Sequence, residues 1–353
     1  MKRELIIRKA SYSWWRLIKN RSLRTVFNPN IFAWVRTPFE LTAGGVPLLR
    51  SHEQVHPGTF KDRYYNEPSR PLVCRQYRDA QMPAISKWFL PGLKSQSHPA
   101  LKVEYLEQYG DHLVPVEVSR GECFNRTMMP LSMFMKLSAD APQDTNVYLA
   151  QCPIDELPPE MQADLVKPKM TNWGAKGDAY SSSIWIGRAP TYTPFHRDPN
   201  HNVLVQLAGR KVIRLAEPDV GDAIYKQAKS RVFQKAYKMD ARIRGEEMMV
   251  GKERDILDKL VWRDDGTRKL SEDLECLGDI PSDEARIYWN RQSGKPPPGA
   301  TAEDEQRMQT IGLANTLETT IGPGDALYIP KGWWHSVKGL GQGIVGSANW
   351  WFR

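Results

Sequence analysis

The chain is poor in residues that build cross-links. Four cysteines (Cys74, Cys123, Cys152 and Cys276) are scattered through 353 residues with no Cys-x-x-Cys pair. That spacing argues against a structural zinc site and against a disulfide framework. Long apolar runs are missing too: none approaches the roughly 18–20 residues of a membrane span. The N-terminus lacks the apolar core of a secretory leader. A reduced, intracellular protein is the expectation. Charge of one sign is absent from most of the chain. The formal net charge is +8, but residues 1–38 hold nine Lys/Arg against Glu4 alone, leaving 40 basic and 40 acidic residues over 39–353. A basic groove for nucleic acid is therefore not favoured in the body of the protein.

What is present divides unevenly. The basic N-terminal segment, taken as residues 1–60 with the charge concentrated in 1–38, has three readings: a mitochondrial transit peptide, a docking helix, or a plain tail. Localisation stays open between mitochondrion and cytoplasm or nucleus. Residues 39–60, with Gly44-Gly45, Pro47 and Pro57, read as irregular connection, and the first strand falls near Arg70-Pro71-Leu72-Val73. Ser86–Leu90 reads as part of a helix. Strands are expected at Val114–Val118, Asn146–Ala150, Ile184–Ile186, Phe195-His196, Val203–Leu207 and Lys211–Leu215, with a hairpin turn at Ala208-Gly209-Arg210. Tyr225, Ala228, Val232, Phe233, Ala236 and Tyr237 recur at helical spacing. They open an insertion at 221–310, whose 17 basic and 18 acidic residues form no single-sign field. Strands resume at Ala326–Pro330 and Ile344–Phe352.

Two distant segments carry the chemistry. The first is Thr193-Pro194-Phe195-His196-Arg197-Asp198. The second is Gly324-Asp325-Ala326-Leu327-Tyr328-Ile329-Pro330, followed by Trp333-Trp334-His335. Two histidines and one carboxylate are what non-haem Fe(II) oxygenases use to hold iron on one face. On a strand, residues at i and i+2 leave the same side, so His196 and Asp198 can reach one metal. A lone His-x-Asp is nonetheless a weak signal, because roughly one such triplet arises by chance in a chain of this composition.

The surroundings make it specific. Thr-Pro-x-His-x-Asp, an Asn four residues on and a Lys thirteen on are matched by Thr193, His196, Asp198, Asn202 and Lys211. Gly-Pro-Gly-Asp-x-Leu-Tyr-Ile-Pro-x-x-Trp-Trp-His is matched from Gly322 to His335, and Asn349 follows on the final strand. This pattern resembles the JmjC oxygenases of the cupin superfamily. It is most similar to the small hydroxylase branch that includes the asparaginyl hydroxylase acting on hypoxia-inducible factor. The resemblance runs over Ser183–Leu215 and from Ile321 to Arg353, and more weakly back to Arg70.

The resemblance implies an all-β core with flanking helices: a double-stranded β-helix over 61–353, interrupted by a mainly helical insertion at 221–310. It implies Fe(II) held by His196, Asp198 and His335, O2 as oxidant, and 2-oxoglutarate as co-substrate. The far carboxylate of 2-oxoglutarate would meet Lys211, helped by Thr193 and Tyr148. Asn202 and Asn349 would be orienting or co-substrate contacts. Bland readings stand beside these: Lys211 as an exposed turn lysine, Tyr148 as packing, and Trp333, Trp334, Trp350 and Trp351 as core and rim aromatics. His201 is expected to point away from iron, and His52, His56, His98 and His112 have no recognisable partner. Hydroxylation of a protein or peptide side chain is the first expectation, ahead of histone N-methyl-lysine demethylation and tRNA-base hydroxylation. A non-catalytic scaffold is the rival from another class. A homodimer stays open, since dimers are common in that branch.

Overall fold

A computed structural model describes residues 40–41, 45–49, 56–66, 68–92, 98–121, 123–142, 144–232, 252–262 and 316–353. All of them fall in one of the two units into which the chain divides, the unit made of Glu40–Arg263 and Met308–Arg353. The basic segment 1–38 lies outside the described residues, as do 233–251 and 263–315 of the insertion region.

In chain order the strands among the described residues are β1 (Glu40–Leu41), β2 (Pro47–Leu49), β3 (Leu72–Cys74), β4 (Phe89–Leu90), β5 (Ala100–Leu101), β6 (Leu113–Arg120), β7 (Cys123–Pro130) and β8 (Thr145–Pro153). They continue with β9 (Ala179–Arg188), β10 (Tyr192–Arg197), β11 (His201–Ala208), β12 (Arg210–Ala216), β13 (Leu317–Ile321), β14 (Ala326–Ile329), β15 (Trp334–Leu340) and β16 (Ile344–Phe352). One sheet has the order β1-β2-β3-β14-β11-β16-β9-β8-β6-β7, a second has β10-β15-β12-β13, and β4 pairs with β5 apart. From β9 to β16 the chain crosses between the two main sheets, four strands in each. This is a jelly roll, the double-stranded β-helix expected from the resemblance.

The burial pattern explains the layering. All eight residues of β11 are buried. Its Val203, Val205 and Leu207 supply an apolar outer face, while Asn202, Leu204 and Gln206 look the other way, a period-2 split of one strand between two environments. The second sheet is covered on its outside by helices Pro218–Val232 and Lys252–Val261. Ile224, Tyr225, Ala228, Leu257, Leu260 and Val261 pack there against Phe195, Val212, Ala216 and Trp334. Each fully buried aliphatic side chain of this kind contributes ~1.5–3 kcal/mol relative to exposure. Tyr225 and Ala228 thus belong to the helix their spacing predicts, while Phe233, Ala236 and Tyr237 lie outside the described residues.

Three local expectations are corrected. Ala208-Gly209-Arg210 is not a hairpin. β11 pairs with β14 and β16, whereas β12 pairs with β13 and β15, so Gly209 turns the chain from one sheet to the other. Gly209 has φ 63°, and a Cβ there would meet the carbonyl oxygen of Ile344 at 2.7 Å. A corner and a hairpin need the same glycine, so turn chemistry alone cannot separate them. Residues 39–60 are not simply irregular. β2 runs parallel to β3, Val46 just before it and Leu49 within it are buried, and the helical turns Pro57–Phe60 and Lys61–Tyr65 follow, with Phe60 buried. Finally, the helix near Ser86 spans only Pro83–Lys87, because Phe89–Leu90 pairs with Ala100–Leu101.

The long connection has a definite place. Leu215 is the register partner of both Leu317 and His335. The chain therefore leaves β12 and re-enters β13 at the same end of the sandwich that carries His335.

Candidate metal centre and its pocket

β10 and β15 pair through Thr193↔Val337 and then His196↔His335, a register shift that sets three steps on β10 against two on β15. On a regular strand Thr193 and His196 would face opposite sides. The bulge brings both to the inner face, a common device next to active sites. β10 ends at Arg197, so Asp198 lies just past the strand rather than on it. It still turns to the same point as the two histidines.

One ligand atom from each of His196, Asp198 and His335 lies within 4.8 Å of the others, and all three residues are buried. Each ring is oriented by its own segment: His196 Nδ1 lies 2.7 Å from the Pro194 carbonyl, and His335 Nδ1 lies 3.2 Å from that of Trp333. Donation from Nδ1 to a carbonyl leaves Nε2 as the free lone pair. Both Nε2 atoms face the Asp198 carboxylate at 3.8 Å, too far for a hydrogen bond. Burial, and then the neighbouring His196, push the His335 pKa down to about 4, so its imidazole is neutral, the form that ligates metals. The donor set and its spacing fit a divalent transition metal held on one face.

Asp198 is held in turn. Asn202 Nδ2 donates to Asp198 Oδ2 at 3.2 Å, and Asn349 Nδ2 donates to Asn202 Oδ1 at 3.1 Å. The indole N–H of Trp351 donates to the same Oδ2 at 2.8 Å. Asn202 and Asn349 therefore sit behind the carboxylate. Trp351, read from sequence as a core or rim aromatic, is instead a direct partner of a candidate ligand.

Lys211 is buried, not an exposed turn residue. Its Nζ donates to Ser347 Oγ at 2.6 Å, and no carboxylate pairs with it among the described residues. Desolvation pushes its pKa down to about 7. Tyr148 is fully enclosed and its hydroxyl shares a hydrogen bond with the Thr193 side chain, while burial raises its pKa. Gly187 gives the tyrosine room, since a Cβ there would come within 2.4 Å of Tyr148 Cδ2. Two further buried oxygens have no partner among the described residues: Gln206 Oε1, on the residue paired with Ser347, and Thr319 Oγ1, on the strand paired with that of Lys211. A buried lysine with no anion and spare polar atoms fits a small polar co-substrate ending in a carboxylate.

Ser347 and Trp351 were missed in the sequence. The available signal was the alternation of the last strand, where Ser347, Asn349 and Trp351 share one face at period 2. His201 turns away from the centre, as expected. Its ring stacks on Tyr65 at 4.3 Å, and its Nδ1 accepts from the Tyr328 hydroxyl at 2.7 Å. Trp333 and Trp334 are buried, with their indole N–H groups on the Ser69 carbonyl and on Asp222.

Fold and centre together define a cupin-like barrel with a two-histidine, one-carboxylate site. The chain belongs to the cupin-like domain family, which matches residues 57–353, and several of its relatives carry JmjC names. It is 31% identical over 175 residues to the lysine-specific demethylase JMJ30 of Arabidopsis thaliana, covering 48% of this chain and 37% of that protein. It is 25% identical over 312 residues to the lysine-specific demethylase 8 of Xenopus tropicalis, covering 87% and 52%. It is also 23% identical over 297 residues to the human bifunctional peptidase and (3S)-lysyl hydroxylase JMJD7, covering 81% and 78%. The chain thus spans about a third to a half of the first curated relatives it matches. Among the described residues no helix is long and apolar enough to cross a membrane.

Proposed function

We propose that the chain is an Fe(II)- and 2-oxoglutarate-dependent dioxygenase that hydroxylates a protein or peptide side chain. The observation that carries this reading is the pairing, inside one barrel, of a buried His196–Asp198–His335 cluster with a buried lysine that lacks an anion. His196 Nε2, His335 Nε2 and the Asp198 carboxylate would hold the iron. Bound iron, with 2-oxoglutarate and O2, supplies oxidative decarboxylation to succinate and CO2, coupled to insertion of one oxygen atom into a C–H bond.

The chain's own residues do the rest. The Lys211 ammonium pairs with the far carboxylate of the co-substrate. The hydroxyls of Tyr148, Thr193 and Ser347 fill that carboxylate's remaining lone pairs or hold the ammonium in place. Asn202, Asn349 and Trp351 fix the rotation of Asp198, so that Oδ1 faces His196 and Oδ2 faces His335. Side-chain hydroxylation is preferred to demethylation, and both classes appear among the names of the relatives, one a lysyl hydroxylase and others lysine-specific demethylases. tRNA-base hydroxylation ranks behind both, because the body of the chain is neutral.

The test is succinate formation from 2-oxoglutarate by the purified protein with Fe(II) and no prime substrate, beside Asp198→Ala. Slow turnover that vanishes in the variant is expected. Absence of turnover in the wild type, together with no binding of Fe(II) or 2-oxoglutarate by calorimetry, would leave a scaffold role instead. A peptide panel containing lysine and N-methyl-lysine then separates hydroxylation (a mass gain of one oxygen) from demethylation (loss of a methyl as formaldehyde).

A further inference from the structure

The helix Pro218–Val232 lies on the outer face of the second sheet, behind the metal centre rather than in it. Its Asp222 Oδ1 accepts two hydrogen bonds, from Arg197 Nη1 at 2.9 Å and from Trp334 Nε1 at 2.8 Å. Arg197 stands between His196 and Asp198 in the chain, and Trp334 immediately precedes His335. The two are register partners across β10 and β15, as the two histidines are. One carboxylate oxygen therefore ties together the outward-facing neighbours of all three candidate ligands.

The surroundings are arranged around this contact. The Arg197 guanidinium lies over the Trp334 ring at 5.4 Å, and that ring stacks on Phe195 at 5.0 Å. The residue before Asp222 is Gly221, where an added Cβ would sit 2.1 Å from Trp334, so bare backbone is what lets the helix come this close. As a surface ion pair the contact would matter little. The Arg197 and Asp222 side chains are 37% and 36% exposed, a range in which such pairs hardly stabilise a fold. Trp334, by contrast, is fully buried, and its N–H needs an acceptor. The ladder between β10 and β15 is interrupted by the bulge just before His196, so local register there depends on what braces the strands from outside. Metal ligands tolerate misplacement of only about 0.5 Å.

Resting on the metal-binding reading above, we propose that Asp222 is a positioning residue for the metal centre, bracing the ligand-bearing ends of β10 and β15 from behind. The connection between β12 and β13 thereby takes part in metal affinity, because its first helix carries the brace.

The test uses the full chain stripped of metal and titrated with Mn(II), free Mn(II) being read by electron paramagnetic resonance. Asp222→Ala is expected to weaken Mn(II) binding about 10- to 100-fold, as loss of supporting contacts around a metal site does. Asp222→Asn keeps an acceptor oxygen and recovers part of the affinity. Arg197→Gln weakens binding in the same direction, and serves if Asp222→Ala does not fold. Lys338→Met is the control. It breaks the 2.8 Å ion pair to Asp258 that anchors the other helix away from the ligands. It also removes the ammonium from over the Tyr192 and Trp262 rings, so it is expected to lower the melting temperature and leave Mn(II) affinity alone. Wild-type affinity in Asp222→Ala overturns the proposal while the metal reading stands. Equal weakening by Lys338→Met also overturns it, since general helix docking would then explain the effect. A wild type that binds no Mn(II) overturns both.

Discussion

At the scale of single residues, Lys211 shows how burial and charge argue for a ligand. An ammonium kept from water without an anion is unfavourable, and desolvation brings its pKa down to about 7. A carboxylate arriving beside it reverses that shift, so above pH 7 co-substrate binding must take up a proton. Affinity for 2-oxoglutarate is therefore expected to fall as pH rises past about 7. Calorimetry with Mn(II) in place of Fe(II), in buffers of different ionisation enthalpy, would show the proton uptake. Lys211→Met should bind roughly 10- to 100-fold more weakly, in line with loss of one charged hydrogen bond, and should lose the pH dependence. A wild-type affinity that is flat from pH 6 to 9 would contradict this. The single-residue level was also the most legible in the sequence. His196, Asp198 and His335 come together, Asn202 and Asn349 stand behind the Asp198 carboxylate, and Tyr148 is hydrogen-bonded to Thr193. Ser347 and Trp351 escaped because serine and tryptophan have many uses, and only their register on β16 gives them this one.

At the scale of elements, the sequence was a poorer guide, for physical reasons that differ from case to case. Short apolar runs revealed β6, β8, β9, β11 and β12, whose buried residues follow one another along the strand rather than at period 2. β7 was hidden because five of its eight positions are exposed, which leaves almost no apolar signal. β13 (Leu-Glu-Thr-Thr-Ile) and β15 were hidden by polar residues that look inward or pair across strands. The bulge in β10 cannot be seen at all without its partner strand. Another element-level device is Gly187 on β9, the only residue type that leaves space for Tyr148 on β8. Gly187→Ala is expected to push the Tyr148 ring off its hydrogen bond to Thr193 and raise the KM for 2-oxoglutarate several-fold. Mn(II) affinity should stay unchanged, because the candidate metal ligands lie further along the barrel. A KM equal to wild type would show that strand β9 can yield instead.

At the scale of the whole molecule, His201 is a joint between layers. Its ring lies between Tyr65 of the N-terminal turns and Tyr328 and Phe352 of the main sheet. Its Nδ1 accepts from the Tyr328 hydroxyl and from the Lys331 backbone N–H, so it must be neutral. Burial, then Lys331, push its pKa down to about 4 from 6.5. The unfolded chain therefore binds the extra proton first, and this contribution to stability is complete above pH 6.5 and lost as pH falls towards 4. The stability gap between wild type and His201→Gln, from urea unfolding, should narrow by about 3 kcal/mol between pH 7 and pH 4. A gap that does not change with pH would mean the ring titrates normally.

The same barrel has a practical openness at one point. Because Leu215 and Leu317 are register partners, the two ends of a hundred-residue excursion are pinned about 5 Å apart by the ladder itself. Closing a loop costs little more as it lengthens, so the length of this connection is expected to bear little on the stability of the barrel. A fold joined this way lets the connection vary in length while β12 and β13 keep their register.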